Sequence, residues 1–395
     1  MVRLNPNLPW KTRGNGAVSI KTGKGKGKKI KIGEFKDKNI YSYCDSKKTF
    51  LESEKIKDFL KKIICEHAKF NDVKTNPGLV IFQKKPDHHI YSKAVRKEIQ
   101  IEEIKKYLTS KKVFFKGYKN KRGLIGATAA TAWKNNSDKT YELISYRKKE
   151  KWGKKRFVDD KTTKNMDKQF DSIFDNYDYQ NNYNSIVPNS PCPVLYGIRG
   201  EKTRDLIKAN SMIKSEKKLG WIIFETNQGT DDHLQKKKIS EIKGYQSVIV
   251  EGKVCKKPYT IEGGHVFFKI KNSTGSIDCA AYEPTKKFRN TIRKLTIGDQ
   301  VKIFGGVRKK PLTINIEKIF VKNLAEKKVK IENPICPICK KHMKSIGKNK
   351  GYRCKKCKTK ESKPVMEKKP RAIKKGFYEV PVSARRHLSK PLKRI

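Results

Sequence analysis

Several things this chain lacks narrow its function before any motif is read. No apolar run approaches the roughly 20 residues of a membrane-spanning helix, and the N-terminus has no apolar signal core. The sequence therefore reads as that of a cytoplasmic protein with no membrane partner. Acidic residues are scarce: 39 Asp and Glu face 95 Lys and Arg, a formal net charge of +56. Part of that excess is a lysine-rich bias, but such a field attracts polyanions, with counterion release driving phosphate contacts. Five of the nine cysteines (Cys44, Cys65, Cys192, Cys255 and Cys279) are scattered and odd in number, which excludes a disulfide framework and fits a reducing compartment. No Ser-His-Asp or Cys-His arrangement supports nucleophilic hydrolysis. The Gly-Lys alternation from Gly23 to Lys29 matches neither phosphate-loop pattern and reads as a flexible basic hairpin.

What is present is most specific near the C-terminus. Cys336, Cys339, Cys354 and Cys357 form two C-x-x-C knuckles separated by fourteen residues. That spacing lets four thiolates close a tetrahedron around Zn²⁺, a structural zinc ribbon with no open position for catalysis. His342 is at most a spare ligand.

Upstream, helical periodicity runs from Ser53 to Phe70 and from about Lys93 to Leu108. Strand patterns cover Gly78 to Phe82, Thr140 to Tyr146, Pro193 to Gly197 and Gly220 to Glu225, with a helix near Thr203 to Met212. Gly123 to Trp133 is a small-residue helix, suited to close approach of a backbone or a ligand. After about Lys238 the strands succeed one another: 246–252, 265–270, 275–281, 300–307 and 312–321, with a helix at 284–295 before the fourth. That order suggests an OB-fold. The expected organisation is a multidomain α+β protein: 1–110 and 111–238 as an α/β body, 239–325 as the barrel, 330–360 as the zinc ribbon, and 361–395 as a basic tail draped over the body or its ligand.

Within the body, Lys11, Arg13, Gly14 and Gly16 combine cations with a compact backbone suited to phosphate, or form a plain turn. Asp159–Asp160 and Asp231–Asp232 are paired carboxylates that could hold Mg²⁺ or a cation, or serve as N-caps and turns. His233 is a possible base. Phe267, Phe268 and Tyr282 could stack bases or fill the core, and Arg385 and Arg386 lie in the tail.

Taken in order, the blocks RLNP from Arg3, PWKTRGNGAV from Pro9, YELISYR from Tyr141, PCPVLYGIRGE from Pro191, TNQGTDDHL from Thr226 and ARRHLSKPL from Ala384 resemble the archaeal tRNA 2-agmatinylcytidine synthetase family. The likeness is collinear over essentially the whole chain. It implies a kinase-like domain, a ferredoxin-like domain, an OB-fold and a zinc ribbon. The implied activity is an ATP-dependent ligase joining agmatine to carbon 2 of the wobble cytidine of the AUA-decoding isoleucine tRNA, with ATP split to AMP and pyrophosphate. On this reading Lys11, Arg13, Gly14 and Gly16 hold ATP phosphates or the activated base. Asp159, Asp160, Asp231 and Asp232 meet Mg²⁺ or agmatine, and Phe267, Phe268, Arg385 and Arg386 hold the tRNA. One departure is expected to matter. The family opens with a G-I-D-D-T-D strand and loop, with an autophosphorylated threonine slightly later, and nothing here matches either. A misassigned start, a split gene completed by a separate polypeptide, or a non-catalytic tRNA- or single-strand-binding remnant would each explain that, and the intact downstream blocks favour the first.

Overall fold

The computed structural model describes residues 1–7, 16–47, 53–134, 138–347 and 349–395. Its organising element is the strand Lys218–Thr226, which joins the first two units into one seven-stranded sheet. On one edge it pairs antiparallel with Thr140–Arg147, which pairs in turn with Val194–Gly200. On its other edge it takes Val2–Leu4 in parallel and, antiparallel, the last residues of Lys24–Phe35, which forms a long hairpin with Lys38–Lys47. The Gly-Lys alternation is therefore part of an ordered ladder, because alternate lysines of a strand can face water while the backbone pairs.

Helices Asp160–Gln169 and Thr203–Met212 cover one face of this sheet. Leu143, Ile198 and Ile223 from the strands meet Met166, Leu206 and Ala209 from the helices, all essentially without solvent exposure. The first unit has its own cores, built by His88–Arg96, Ile101–Ser110 and Gly123–Ala132. The single helix expected from Lys93 to Leu108 is two helices, because Lys97 adopts an extended conformation (φ −139°, ψ 157°) that ends the first. The small-residue helix proves to be a packing device. A Cβ on Gly123 would lie 2.2 Å from the Asn76 carbonyl, and one on Gly78 would lie 2.2 Å from the Leu124 amide. This helix packs against His88–Arg96 and the strand Ala17–Ser19.

The barrel closes as the strand order requires. Ser247–Thr260 pairs with both Val266–Asn272 and Gln300–Arg308; Gly275–Ala281 pairs with Val266–Asn272 and, in parallel, with Thr313–Asn323; and Thr313–Asn323 pairs with Gln300–Arg308. Helix Phe288–Arg293 sits between the third and fourth strands and buries Phe288 and Ile292. A two-stranded stalk, Lys327–Glu332 with Val365–Lys369, carries the ribbon away from the barrel. The tail does more than drape. Strand Gly376–Glu379 extends the barrel sheet, and Ile373 and Val380 enter the barrel core.

Candidate functional site

Successive residues of a strand face opposite sides, so the helix-covered face of the central sheet leaves a second face for chemistry. Glu142 lies there, on the strand Thr140–Arg147, opposite Arg199 in the ladder. Arg3 donates to the Glu142 carboxylate, and Arg199 Nε lies 3.9 Å from its other oxygen. Burial alone would raise the Glu142 carboxyl, but the two guanidiniums hold it below the usual carboxylate range. Gly197 stands beside this cluster, where a Cβ would approach Glu142 Oε1 to 3.4 Å. Gln228 is 1% exposed at the same place, and Asn5 is nearly as deep. Two guanidiniums around one carboxylate give the cluster a net positive charge suited to phosphoryl oxygens. Nothing in the sequence groups these residues.

The loop that follows Thr226 is a junction between units. Asn227 exchanges hydrogen bonds with the Asn5 backbone (2.8 and 3.0 Å) and donates to Tyr91 Oη (3.1 Å). Asp232 accepts from Tyr91 Oη at 2.7 Å, and its backbone carbonyl accepts from Arg96. Burial pushes its carboxyl up. Asp231 pairs with the buried Lys318 at 2.6 Å and accepts from the Lys390 amide. His233 Nε2 meets Glu317 at 2.9 Å, and Glu317 also binds Arg386, which reaches Asn7. Burial would raise Glu317, but the His233 and Arg386 charges outweigh it and hold the carboxyl well down. Asp231 and His233 thus tie this loop to the barrel, and Asp232 ties it to the first unit.

The other candidates divide similarly. Asp159 is the N-cap of Asp160–Gln169 and accepts from the Thr162 amide at 2.7 Å; that bond lowers its carboxyl. Asp160 pairs with Lys164 and accepts from Tyr177 Oη. Arg385 is held by Asp175 and Glu379 and is 6% exposed, so its guanidinium is spent inside the fold. Phe268 is fully buried in the barrel core and cannot stack a base. Phe267, one residue earlier, faces outward beside Tyr259 (centroids 6.1 Å, planes 26° apart) and Tyr282 (5.9 Å, edge-on), with Lys256 over Tyr259. Gly16 is required by sterics, since a Cβ would fall 1.5 Å from the Leu4 carbonyl oxygen. Lys11, Arg13 and Gly14 lie outside the described residues.

The ribbon brings the four cysteine sulfurs within 4.8 Å of one another. Each knuckle closes the same way: the amide of Lys340 donates to the Cys336 carbonyl and that of Lys358 to the Cys354 carbonyl, with both lysines at positive φ. Hydrogen bonds from Thr359 lower the Cys357 thiol to about 6, and the Cys357 amide lowers Cys354. Cys339, beside Cys357, is pushed up to about 12. Thiolates this close repel one another without a cation, and the spacing fits tetrahedral Zn–S bonds of about 2.3 Å.

Comparison with known proteins decides the lineage. Family profiles described as the TiaS TCKD domain, the TiaS FLD domain, an OB-fold nucleic acid binding domain and the TiaS C-terminal zinc ribbon domain match residues 1–120, 121–233, 248–321 and 333–373. The tRNA 2-agmatinylcytidine synthetase TiaS of Methanocaldococcus jannaschii is 43% identical over 405 residues, covering 100% of this chain and 90% of that protein. The chain belongs to the TiaS family. Among solved structures, a TiaS complex with isoleucine tRNA and ATP aligns at TM-score 0.81 and 40% identity, covering 100% of this chain and 88% of that one. A TiaS complex with the tRNA, AMPCPP and agmatine aligns at 0.79 and 38%, covering 93% and 89%. In TiaS terms, Glu142 and Arg199 belong to the FLD segment and Arg3 to the TCKD segment, so the charged cluster straddles the boundary between them. No helix among the described residues is long and apolar enough to cross a membrane.

Proposed function

We propose that this protein is an ATP-dependent ligase that joins agmatine to carbon 2 of the wobble cytidine in the AUA-decoding isoleucine tRNA. The carrying observation is the 43% identity over the full chain to a curated synthetase, spanning all four domains in order. The oxygen on carbon 2 is a poor leaving group. Transfer of a phosphate-bearing group of ATP to that oxygen makes it displaceable; the primary amine of agmatine then forms the new C–N bond as the oxygen departs on that group, so that ATP ends as AMP and pyrophosphate. Catalysis rests on positioning and on neutralising phosphate charge. The target base has to leave the anticodon stack to be reached.

In this reading Arg3 and Arg199 hold phosphoryl oxygens, and Glu142 sets their orientation and offers an acceptor to the cationic substrate. Lys11 and Arg13 keep the phosphate-binding role that their residue types and the family resemblance imply. Mg²⁺ accompanies the ATP phosphates. The aspartate pairs are better assigned to fold than to metal, given their caps and ion pairs. Zn²⁺ in the ribbon is a folding element. The surface of Phe267, Tyr259 and Tyr282, the lysine-rich stalk and the ribbon hold the tRNA by stacking and phosphate contacts. The cytoplasm, where tRNA matures and thiols stay reduced, is the site of action.

The test is ATP-dependent incorporation of labelled agmatine into the isoleucine tRNA. The competing reading, a tRNA-binding protein without catalysis, predicts saturable tRNA binding with no incorporation. Glu142→Gln provides a second readout: the KM for agmatine or ATP rises at least tenfold if the cluster touches substrate, and stays unchanged if it is only structural.

A further inference from the structure

A cavity of about 350 Å³ opens between the helix Asp160–Gln169, the segment after it and the C-terminal tail. The junction and the charged cluster make no use of it. Its walls are aromatic: Phe174, Tyr177 and Tyr179 line it, and the two tyrosine rings lie 5.0 Å apart at 52°. Tyr179 is 49% exposed, so its ring is available from solvent. Lys168 and Lys393 stand exposed at the rim. The interior carries an acceptor. Asp167 lines the cavity with only neutral side chains, Tyr179 and Asn176, as hydrogen-bonding neighbours, and burial raises its carboxyl despite the nearby Lys393 charge. Arg385 has its two terminal nitrogens engaged by Asp175, Glu379 and the Val380 carbonyl, while its buried Nε has no hydrogen-bond partner among the described residues.

We propose that this cavity is a pocket for one unstacked nucleotide of RNA. The rings supply stacking surface, which any base can use. The rim lysines meet the flanking phosphates. Asp167 offers an acceptor to the base edge, where every nucleobase places a donor. A volume of this size admits one nucleotide and excludes a stacked pair. The pocket deepens the ligase reading only in drawing its ligand from RNA, and it concerns residues outside the Arg3–Glu142–Arg199 cluster.

The experiment titrates the full-length protein with CMP, AMP, GMP, UMP and ribose 5-phosphate, followed by calorimetry or ligand-observed NMR. At least one nucleotide should bind at least about tenfold more tightly than ribose 5-phosphate, as base stacking requires. Tyr179→Ala, at an exposed ring, should remove about tenfold of that affinity without changing the melting temperature. Lys168→Ala should weaken all four nucleotides alike, and Asp167→Asn, which can present a donor or an acceptor, should reorder the preference among bases. Unaltered binding in both Tyr179→Ala and Asp167→Asn overturns the site, as does equal binding of ribose 5-phosphate. Binding of AMP alone, displaced by ATP and not by tRNA, overturns the assignment to RNA. Agmatine incorporation by the wild-type chain without nucleotide binding here sinks the pocket and leaves the ligase reading standing; nucleotide binding here without incorporation does the reverse.

Discussion

Replacing Lys318 by methionine perturbs the junction at one atom. The ammonium is buried in the barrel strand Thr313–Asn323 and makes two short contacts, to Asp231 Oδ2 at 2.6 Å and to the Lys390 carbonyl at 2.7 Å. Methionine nearly conserves the volume, so the packing cost is small. The loss is electrostatic: Asp231 keeps only the Lys390 amide on its other oxygen. Breaking a buried pair costs about 3–5 kcal/mol. The Asp231 side chain is 22% exposed and water can reach it, which places this case at the low end, about 3 kcal/mol. For a cooperative unit of 150–250 residues that is roughly 6–12 °C in melting temperature. Asp231→Asn should cost at least as much, since it strands the ammonium, and the double variant should be less damaged than the sum of the singles by about 1–2 kcal/mol. Differential scanning calorimetry with limited proteolysis reads both effects. Single variants within 0.5 kcal/mol of wild type, on the order of a neutral surface change, or strictly additive singles, would refute the junction as described.

Other outcomes follow from the same contacts. Cys354→Ser should abolish the one zinc per chain found by metal analysis and unfold the ribbon, while the barrel keeps its own transition. Phe268→Ala should cost about 3–5 kcal/mol of barrel stability, whereas Phe267→Ala should leave stability near wild type and weaken tRNA binding by about tenfold in a filter-binding titration. Gly123→Ala should destabilise by about 1–3 kcal/mol in chemical denaturation, because the new methyl meets backbone that cannot move aside. Glu317 and Glu142 both have folded-state pKa values below their unfolded ones. Their stabilisation is therefore complete above the unfolded carboxylate range of about 4.3 and is lost as pH falls through the folded values, so urea midpoints should hold from pH 7 to 5 and drop below about 4.

The parts of this protein that could be read from its sequence are those whose cause is local. The two cysteine knuckles declare themselves because zinc geometry fixes short spacings, and the barrel strands because alternation along each strand reports burial. The split after Arg96 was hidden, since nothing in Lys97 forbids continuing a helix and only tertiary packing ends it. The aspartate pairs are ambiguous for a physical reason. Asp beside Thr, Gly and Asn suits a metal, an N-cap and an ion pair equally, and the choice depends on Thr162 and Lys318, the latter 87 residues away. Phe267 and Phe268 show the limit of a strand motif: adjacent residues take opposite faces, so only one of the pair could reach solvent. Arg3, Glu142 and Arg199 fall within the family blocks, but no local pattern groups them, because the cluster exists only once strands 139 residues apart share a sheet.

The central claim is tested most directly by incubating the protein with the isoleucine tRNA, ATP and labelled agmatine and analysing the digested nucleosides. Agmatine-bearing cytidine, formed only with ATP present and only at the wobble position, is the predicted result. Tight binding of the tRNA and of ATP with no labelled nucleoside at any ATP concentration would contradict it.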